Sequence, residues 1–452
     1  MDTKKLRQKM LDLAIRGKLV PQDPNDEPAS VLLERIQAEK EQLIKDGKIK
    51  RSKQSASSDT SPYENVPFEI PESWVWTTIG NVCETCLGKM LDKQKNQGLL
   101  QPYLRNVNVR WGKFDLSDLL QMPFEDGEAE RYSIGQNDLV VCEGGEPGRC
   151  AIWTDTESIK FQKALHRVRC SDGILNKYIQ IILKTFYANG MLESYYTGST
   201  IKHLTGDALN SFLFPLPPTK EQFRIVDEVE KWENVMDALD TEGKKLSSAI
   251  LQTKSKILDL AIHGKLVPQD LNDEPAIDLL RRINSNFKPC DNAHYKNLPS
   301  GWSICRLEDI VDYEQPQAYI VGSTNYSEDY SIPVLTAGKS FIIGYTNETD
   351  GICDNLPVII FDDFTTDSRF VDFPFKVKSS AMKILRVKKE IDIRYVCFYM
   401  SITRLVGDTH KRYWISEYSK LPIPIPPKAE QERIVQTVTD LLGKLDSIIA
   451  EL

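Results

Sequence analysis

The chain repeats itself out of phase, and few folds can accommodate that. LDLAIRGKLVPQDPNDEPASVLLERI (11–36) returns as LDLAIHGKLVPQDLNDEPAIDLLRRI (258–283). PLPPTKEQFRIV (215–226) returns as PIPPKAEQERIV (424–435). In the middle of the chain one motif runs straight into the other. At the two ends they stand alone. A cyclic two-fold repeat, cut open within one helix, accounts for this order. It predicts one architecture built twice, termini that lie close together, and two rods packed antiparallel.

The central stretch 219–266 carries Val226, Val229, Trp232, Met236, Leu239, Leu246, Ile250, Ile257 and Ala261. Steps of mostly three, four or seven predict one amphipathic helix with a narrow apolar seam. About 44 residues at ~1.5 Å each give a rod of roughly 65 Å. Gly243 is its weak point, costing about 1 kcal/mol relative to alanine. So narrow a seam needs a partner helix. The C-terminal segment 428–452, with Ile434, Val438, Leu441, Leu445, Ile448 and Leu452, matches the front half of the rod. The N-terminal segment matches the back half.

A third repeat places the globular parts. IPESWVWTTIGNV (70–82) and LPSGWSICRLEDI (298–310) share Pro and Trp at one spacing. The expected fold is α+β: two mixed α/β domains, 66–218 and 298–427, separated by an antiparallel pair of long helices. Around them lie an N-terminal helical region (1–47), a Ser-rich linker (48–65), the central helical region (219–284), a second linker (285–297) and a C-terminal helix (428–452). Short runs such as 138–142, 165–168, 358–361 and 382–387 read as strands, and 176–186 and 393–403 as helices. The domains end alike: GSTIKHLTGDALNSFLFPLPP (198–218) aligns without gaps on GDTHKRYWISEYSKLPIPIPP (407–427). Their interiors diverge, which suggests one scaffold with two specificities.

No apolar run approaches the ~20 residues that span a bilayer, and the N-terminal MDTKKLRQKM lacks a signal-peptide core. Nine irregularly spaced cysteines argue for reduced thiols and a cytoplasmic protein. The net charge of −8 runs against the basic footprint of many nucleic-acid binders, although a local groove can be basic on an acidic protein.

Catalytic patterns are missing. The turn Gly144-Gly145-Glu146-Pro147-Gly148-Arg149 lacks the Lys and Ser/Thr of a phosphate-cradling loop. Leu216-Pro217-Pro218-Thr219 has neither the polar residue before nor the aromatic after that a base methyltransferase motif needs, and reads as a rigid helix entry. Cys83-x-x-Cys86 has no second pair at zinc-site spacing. Asp362-Asp363 has no nearby Glu-x-Lys and reads as a polar loop. No metal, cofactor or catalytic site is expected in this chain.

What remains is a recognition surface. In the first domain the candidates are Lys89, Lys93, Arg105, Asn106, Asn108, Arg110, Trp111, Arg149, Thr200 and Lys202. In the second they are Ser323, Thr324, Asn325, Lys339, Arg369, Lys378, Thr409, Lys411 and Arg412. Arg and Asn suit bidentate contact with guanine and adenine edges, and Ser, Thr and Lys suit phosphates.

The P-x-x-W openings, the EQ-containing exits, the LDLAIxGKLVPQDxNDEPA blocks and their cyclic order together resemble the DNA-specificity subunits of type I restriction–modification systems. The likeness covers essentially the whole chain. It implies two target recognition domains, each reading one half of a split, asymmetric site in double-stranded DNA. It implies rods that set the spacer and dock two methyltransferase (modification) subunits, with two restriction (translocase–nuclease) subunits completing the enzyme. Adenine-N6 methylation and ATP-dependent cleavage would then belong to the partners, together with S-adenosylmethionine, ATP and Mg²⁺. A helical assembly adaptor with protein-binding domains is the alternative.

Overall fold

The computed structural model describes residues 2–47, 66–92, 98–128, 130–290, 295, 297–337, 340–405 and 412–451. The linker expected at 48–65 lies outside them. Two compact units emerge, Met1–Thr241 and Glu242–Leu452.

The first unit opens with helices α1 (Thr3–Ile15) and α2 (Ala29–Lys45). Gly17 ends the first in the left-handed region (φ +64°). A Cβ there would meet the Pro71 ring at 2.4 Å and Trp74 at 3.2 Å, so only glycine lets this turn lie on the Pro–Trp opening. Beside a short antiparallel pair, Val109–Arg110 with Lys113–Phe114, the strands are β1 (Val75–Thr78), β2 (Cys83–Leu87), β3 (Leu99–Leu104), β4 (Leu120–Phe124), β5 (Ser133–Ile134), β6 (Leu139–Cys142), β7 (Cys150–Ile152), β8 (Ile159–Phe161), β9 (Leu165–Cys170) and β10 (Leu213–Leu216). One sheet has the order β2-β9-β6-β7, all antiparallel. A second, β4-β3-β8-β5, includes a parallel pair, Lys160 opposite Tyr103. Strands β1 and β10 pair separately, Trp76 opposite Pro215.

Helix α3 (Asn176–Ala188) buries Tyr178, Ile179, Ile182 and Phe186 at the usual helical spacing. The Tyr178 hydroxyl donates to the Pro215 carbonyl at 2.8 Å, anchoring the helix to the strand that leads into the rod. That rod, α4 (Thr219–Ile262), is one unbroken helix of 44 residues and runs through Gly243. Where it lies in the first unit, α1 packs beside it in the opposite sense. Thr3 and Arg7 bond Asp240 at 2.6 and 3.0 Å, Arg7 reaches Asp237 at 2.7 Å, and further along Gln22 bonds Glu221.

The second unit repeats the scheme with α5 (Ala276–Ile283), α6 (Ile393–Ile402) and α7 (Lys428–Glu451). Its strands are β11 (Ser303–Arg306), β12 (Val311–Glu314), β13 (Ile332–Leu335), β14 (Ile342–Thr346), β15 (Val358–Asp362), β16 (Ser368–Val371), β17 (Lys376–Val377), β18 (Met382–Val387) and β19 (Pro422–Ile425). The sheet β12-β18-β15-β16 has the connectivity of β2-β9-β6-β7, and β11 pairs with β19 as β1 pairs with β10. Here α7 lies antiparallel to the end of α4: Asp446 holds Lys254 and Glu430 holds Gln269.

The repeated motifs spell one hydrogen-bonded knot, present in each unit. Glu221 accepts from the Trp74 indole at 2.9 Å and from Gln22 at 2.5 Å. Glu430 accepts from Trp302 at 2.9 Å and from Gln269 at 2.7 Å. Gln222 accepts from the Leu175 N–H and donates to the Pro217 carbonyl, as Gln431 does with Asp392 and Pro426. Arg224 pairs with Asp26, and Arg433 with Asp273, each at 2.6 Å. Both glutamates are 1% exposed.

The seam differs from its expected form. Val229, Met236, Ile250 and Ala261 are buried, but Trp232, Leu239 and Leu246 are 48%, 41% and 43% exposed. Two of these share a face with Val235, also exposed, so the rod carries an uncovered apolar stripe beside its packed one. In α7, Ile434 and Val438 are buried and Ile448 is exposed. Periodicity locates apolar faces but does not say which of them the chain itself covers.

Candidate nucleic-acid interface

In the first unit the Gly144–Arg149 turn, which connects β6 to β7, organises several of the expected residues around one carboxylate. Glu146 accepts from the Trp111 indole at 2.8 Å and from Arg149 at 2.6 Å. Burial alone would raise its pKa, but the Trp111 and Arg149 hydrogen bonds outweigh that and hold it below the ordinary range. Arg149 also donates to the Asn106 carbonyl at 2.9 Å, and the Asn106 amide donates to the Gly144 carbonyl at 3.3 Å. The Trp111 ring rests 5.1 Å from that of Tyr187. Gly144 lies directly under the His203 ring, where a Cβ would come within 3.2 Å. Asn106, Trp111 and Arg149 therefore meet at one end of the sheet, next to the loop 198–205. Thr200 and Lys202 are exposed on that loop, and Ile201 is 64% exposed. The loop is pinned at its base by paired backbone hydrogen bonds between Thr197 and His203.

Two expected contacts need correction. Lys89 is 5% exposed, and its ammonium group is held by Glu125 and Glu128. Its backbone joins the edge of the β8 strand, which draws the side chain inward. Asn108 is 2% exposed and closes a turn: it accepts from the Arg105 N–H at 2.9 Å and donates to the Asp115 and Asp118 carbonyls. Both are polar residues consumed by local structure. Arg105 pairs with Asp118 at 2.7 Å, while Arg110 is exposed and only loosely paired with Asp115 at 3.8 Å. Lys93 lies outside the described residues.

In the second unit Ser323, Thr324 and Asn325 form an exposed loop. Glu348 holds its base, accepting from the Gly322 and Ser323 N–H groups at 2.9 Å and pairing with the buried Lys376 at 3.0 Å. Arg369 on β16 and Lys378 after β17 are exposed. The exposed Arg412 lies over the Phe364 ring at 6.0 Å. Lys339, Thr409 and Lys411 fall outside the described residues. Asp363, read from sequence as part of a polar loop, is instead 2% exposed and paired with Lys383.

The carboxylates Glu146 and Glu348, which shape these loops, went unnoticed in the sequence. Attention to basic side chains hides the acidic ones that position them. Among the described residues, no cluster of His, Cys, Asp or Glu suits a metal ion, and no helix is long and apolar enough to cross a membrane.

A surface of positioned Arg, Asn, Lys, Thr and aromatic side chains at loop ends, built twice on one scaffold, is that of a modular nucleic-acid reader. The profile of the type I restriction modification DNA specificity domain matches residues 71–246 and 299–451, one match in each half of the repeat, and the chain belongs to this family. The specificity subunit of the Escherichia coli type I restriction enzyme EcoR124I/EcoR124II is 46% identical over 155 residues, covering 32% of this chain and 38% of that protein. The Escherichia coli EcoAI specificity subunit is 26% identical over 99% of this chain and 90% of its own length. A chain from a solved structure concerned with complex assembly and conformational transition of the type I R-M system superposes with a TM-score of 0.58. It is 17% identical and covers 85% of this chain and 94% of that one.

The exposed Lys202 gives a direct check on the loop. Lys202→Ala should weaken DNA binding of the assembled complex equally for all sequences and reduce its salt slope by about 1, as one lost phosphate contact does. A change confined to one base position would assign it to base reading instead.

Proposed function

We propose that this chain is the sequence-reading subunit of a type I restriction–modification complex, in which each unit reads one half of a bipartite, asymmetric DNA site. The observation that carries the reading is the family match falling separately on two units that share a framework and differ in their loops. A shared framework with unlike loops suits two different half-sites. Two readers on one face of B-DNA sit about one turn, roughly 34 Å, apart. The long helices act as the spacer that sets this gap.

The chain itself carries out recognition, and methylation and cleavage fall to its partners. Two methyltransferase subunits dock on the rods, where Trp232, Val235 and Leu239 offer an exposed apolar stripe at three- and four-residue steps. Two restriction subunits complete the cytoplasmic assembly. S-adenosylmethionine, ATP and Mg²⁺ bind to those partners. The net charge of −8 fits a chain that leaves many phosphate contacts to the methyltransferases closing around the DNA, so the lone chain should bind DNA weakly.

The ruler is tested by lengthening it. Inserting one heptad into both rods, about 10 Å of helix, should lengthen the nonspecific spacer while leaving both half-sites unchanged. An unchanged spacer in a complex that still methylates would sink the ruler.

A further inference from the structure

The pairing of β2 with β9 sets two cysteines side by side. Cys83 lies opposite Cys170, and their sulfurs are 2.7 Å apart. The Ser171 N–H donates to the Val82 carbonyl at 2.8 Å, while the Cys83 N–H turns back to the Ile79 carbonyl. Cys83 and Cys170 are therefore a non-hydrogen-bonded pair, the kind that brings side chains closest across an antiparallel ladder. Closing to the ~2.05 Å of a disulfide takes less than about 1 Å of movement. Cys86, the neighbour that sequence spacing suggests for Cys83, is engaged elsewhere: its thiol meets the Leu87 and Arg131 carbonyls.

The second unit builds the same position without sulfur. Val311 opens β12 after the helical turn Leu307–Ile310, as Cys83 opens β2 after the turn Ile79–Val82. Val311 lies opposite Val387, and the Lys388 N–H donates to the Ile310 carbonyl at 2.9 Å. The scaffold accepts a valine pair here, so packing alone does not call for thiols. The first unit also places a cation beside them. Lys40 of α2 donates to the Gly80 and Asn81 carbonyls at 2.9 and 2.7 Å, and its ammonium group acts on both sulfurs. The two thiols differ in access. Cys83 is buried, whereas Cys170 is partly exposed.

We propose that Cys83 and Cys170 form a peroxide-reactive dithiol that closes to a disulfide and staples β2 to β9 in the first unit alone. Cys170 is the point of attack. Its sulfur takes one oxygen from hydrogen peroxide: an S–O bond forms, the O–O bond breaks, and water leaves with the thiol proton. The product is a Cys170 sulfenic acid. The Cys83 sulfur then attacks the Cys170 sulfur, the S–O bond breaks, and the hydroxyl leaves as water with the Cys83 proton. Two thiols are oxidised by two electrons and one peroxide is reduced to two waters. A nearby cation favours sulfur as the nucleophile, and Lys40 supplies it. Burial and the Cys170 hydrogen bond push the Cys83 thiol well up, so it stays protonated and inert until the sulfenic acid forms beside it. The two cysteines are 87 positions apart and enclose Asn106, Trp111 and Arg149. A cross-link across so long a loop restricts the unfolded chain strongly and so stabilises the folded unit. The site does not depend on the recognition function proposed above.

The test treats the full, folded chain with hydrogen peroxide, blocks the remaining thiols with N-ethylmaleimide, and maps the peptides without reduction. The expected product is a Cys83–Cys170 cross-link that dithiothreitol reverses, with the buried Cys142 and Cys150 left as thiols. Cys83→Val, which installs half of the second unit's valine pair, should abolish the cross-link and leave a Cys170 sulfenic acid that dimedone traps. Cys170→Val should leave Cys83 unoxidised, and serves if the first variant does not fold. Hydrogen exchange reads the staple: oxidation should slow the most protected amides of the first unit by about tenfold or more and leave those of the second unchanged. Oxidation of Cys170 to the sulfinic acid without a cross-link, or a cross-link formed only in denaturant, would overturn the dithiol. Unchanged exchange in a fully cross-linked chain would overturn the staple.

Discussion

Exchanging residues 298–427 for the corresponding domain of another specificity subunit should redirect methylation to a hybrid site, with one half-site new and the other retained. The expected effect is categorical, because specific and nonspecific binding typically differ by about 10³-fold or more. The structural argument lies in the knots. Trp302, Glu430, Gln269 and Gln431 tie the second unit's opening, exit and helical region to one another, and none of their partners lies in the first unit. The first unit's knot is equally self-contained. Of the second unit's knot, residues 298–427 carry Trp302, Asp392 and Pro426, while Gln269, Glu430 and Gln431 stay in the retained helices, so a domain exchanged at the Pro–Trp opening and the Pro-Pro exit re-forms these contacts when it supplies the same partners. Methylation sequencing would read the outcome, and a change in both half-sites would refute modularity.

Glu221→Ala should destabilise the first unit by about 2–4 kcal/mol, enough to lower its melting temperature by several degrees. The substitution leaves the buried Trp74 indole N–H and the Gln22 amide without their acceptor, and an unsatisfied buried donor costs about 1–3 kcal/mol. Glu430→Ala should do the same in the second unit through Trp302 and Gln269. The glutamates also have a pH signature. Burial is the largest influence on each and raises its pKa above the ordinary 4.5, against the hydrogen bonds from tryptophan and glutamine. The folded state therefore holds a proton that the unfolded chain releases. The stability this linkage contributes is fully present below pH 4.5 and is lost as pH rises through the raised value. Compared with Glu221→Gln, the wild type should gain relative stability as pH falls from neutrality toward 4.5. Calorimetry at matched pH would show it, and parallel curves would argue against the linkage.

The sequence was most legible where it repeats. The helix expected at 219–266 runs from Thr219 to Ile262, and the strands expected at 358–361 and 382–387 appear as Val358–Asp362 and Met382–Val387. Such elements carry their own signal in apolar spacing. The purpose of the repeated letters was much less visible. Glu221, Gln222 and Arg224 looked like an ordinary polar helix start, yet their partners are Trp74, Leu175 and Asp26, dozens to about two hundred residues away. Local pattern cannot express that kind of contact. The candidate site shows the same limit. Lys89 and Lys202 have the same chemistry in sequence, but one is enclosed by two carboxylates that arrive from another strand end and the other stands free of the sheet on a loop tip. The rod's second apolar stripe was folded into the first because a helical wheel does not distinguish a face covered by the chain from one left for a partner.

The most direct measurement is to express this chain with a methyltransferase subunit of its own system in a host lacking other adenine methylation, and to map methylated bases by single-molecule sequencing. The account predicts a split motif with a spacer of constant length and one methylated adenine on each strand, abolished by a catalytic mutation in the partner. A stable complex with a demonstrably active methyltransferase that marks no motif, or marks a single uninterrupted one, would contradict it.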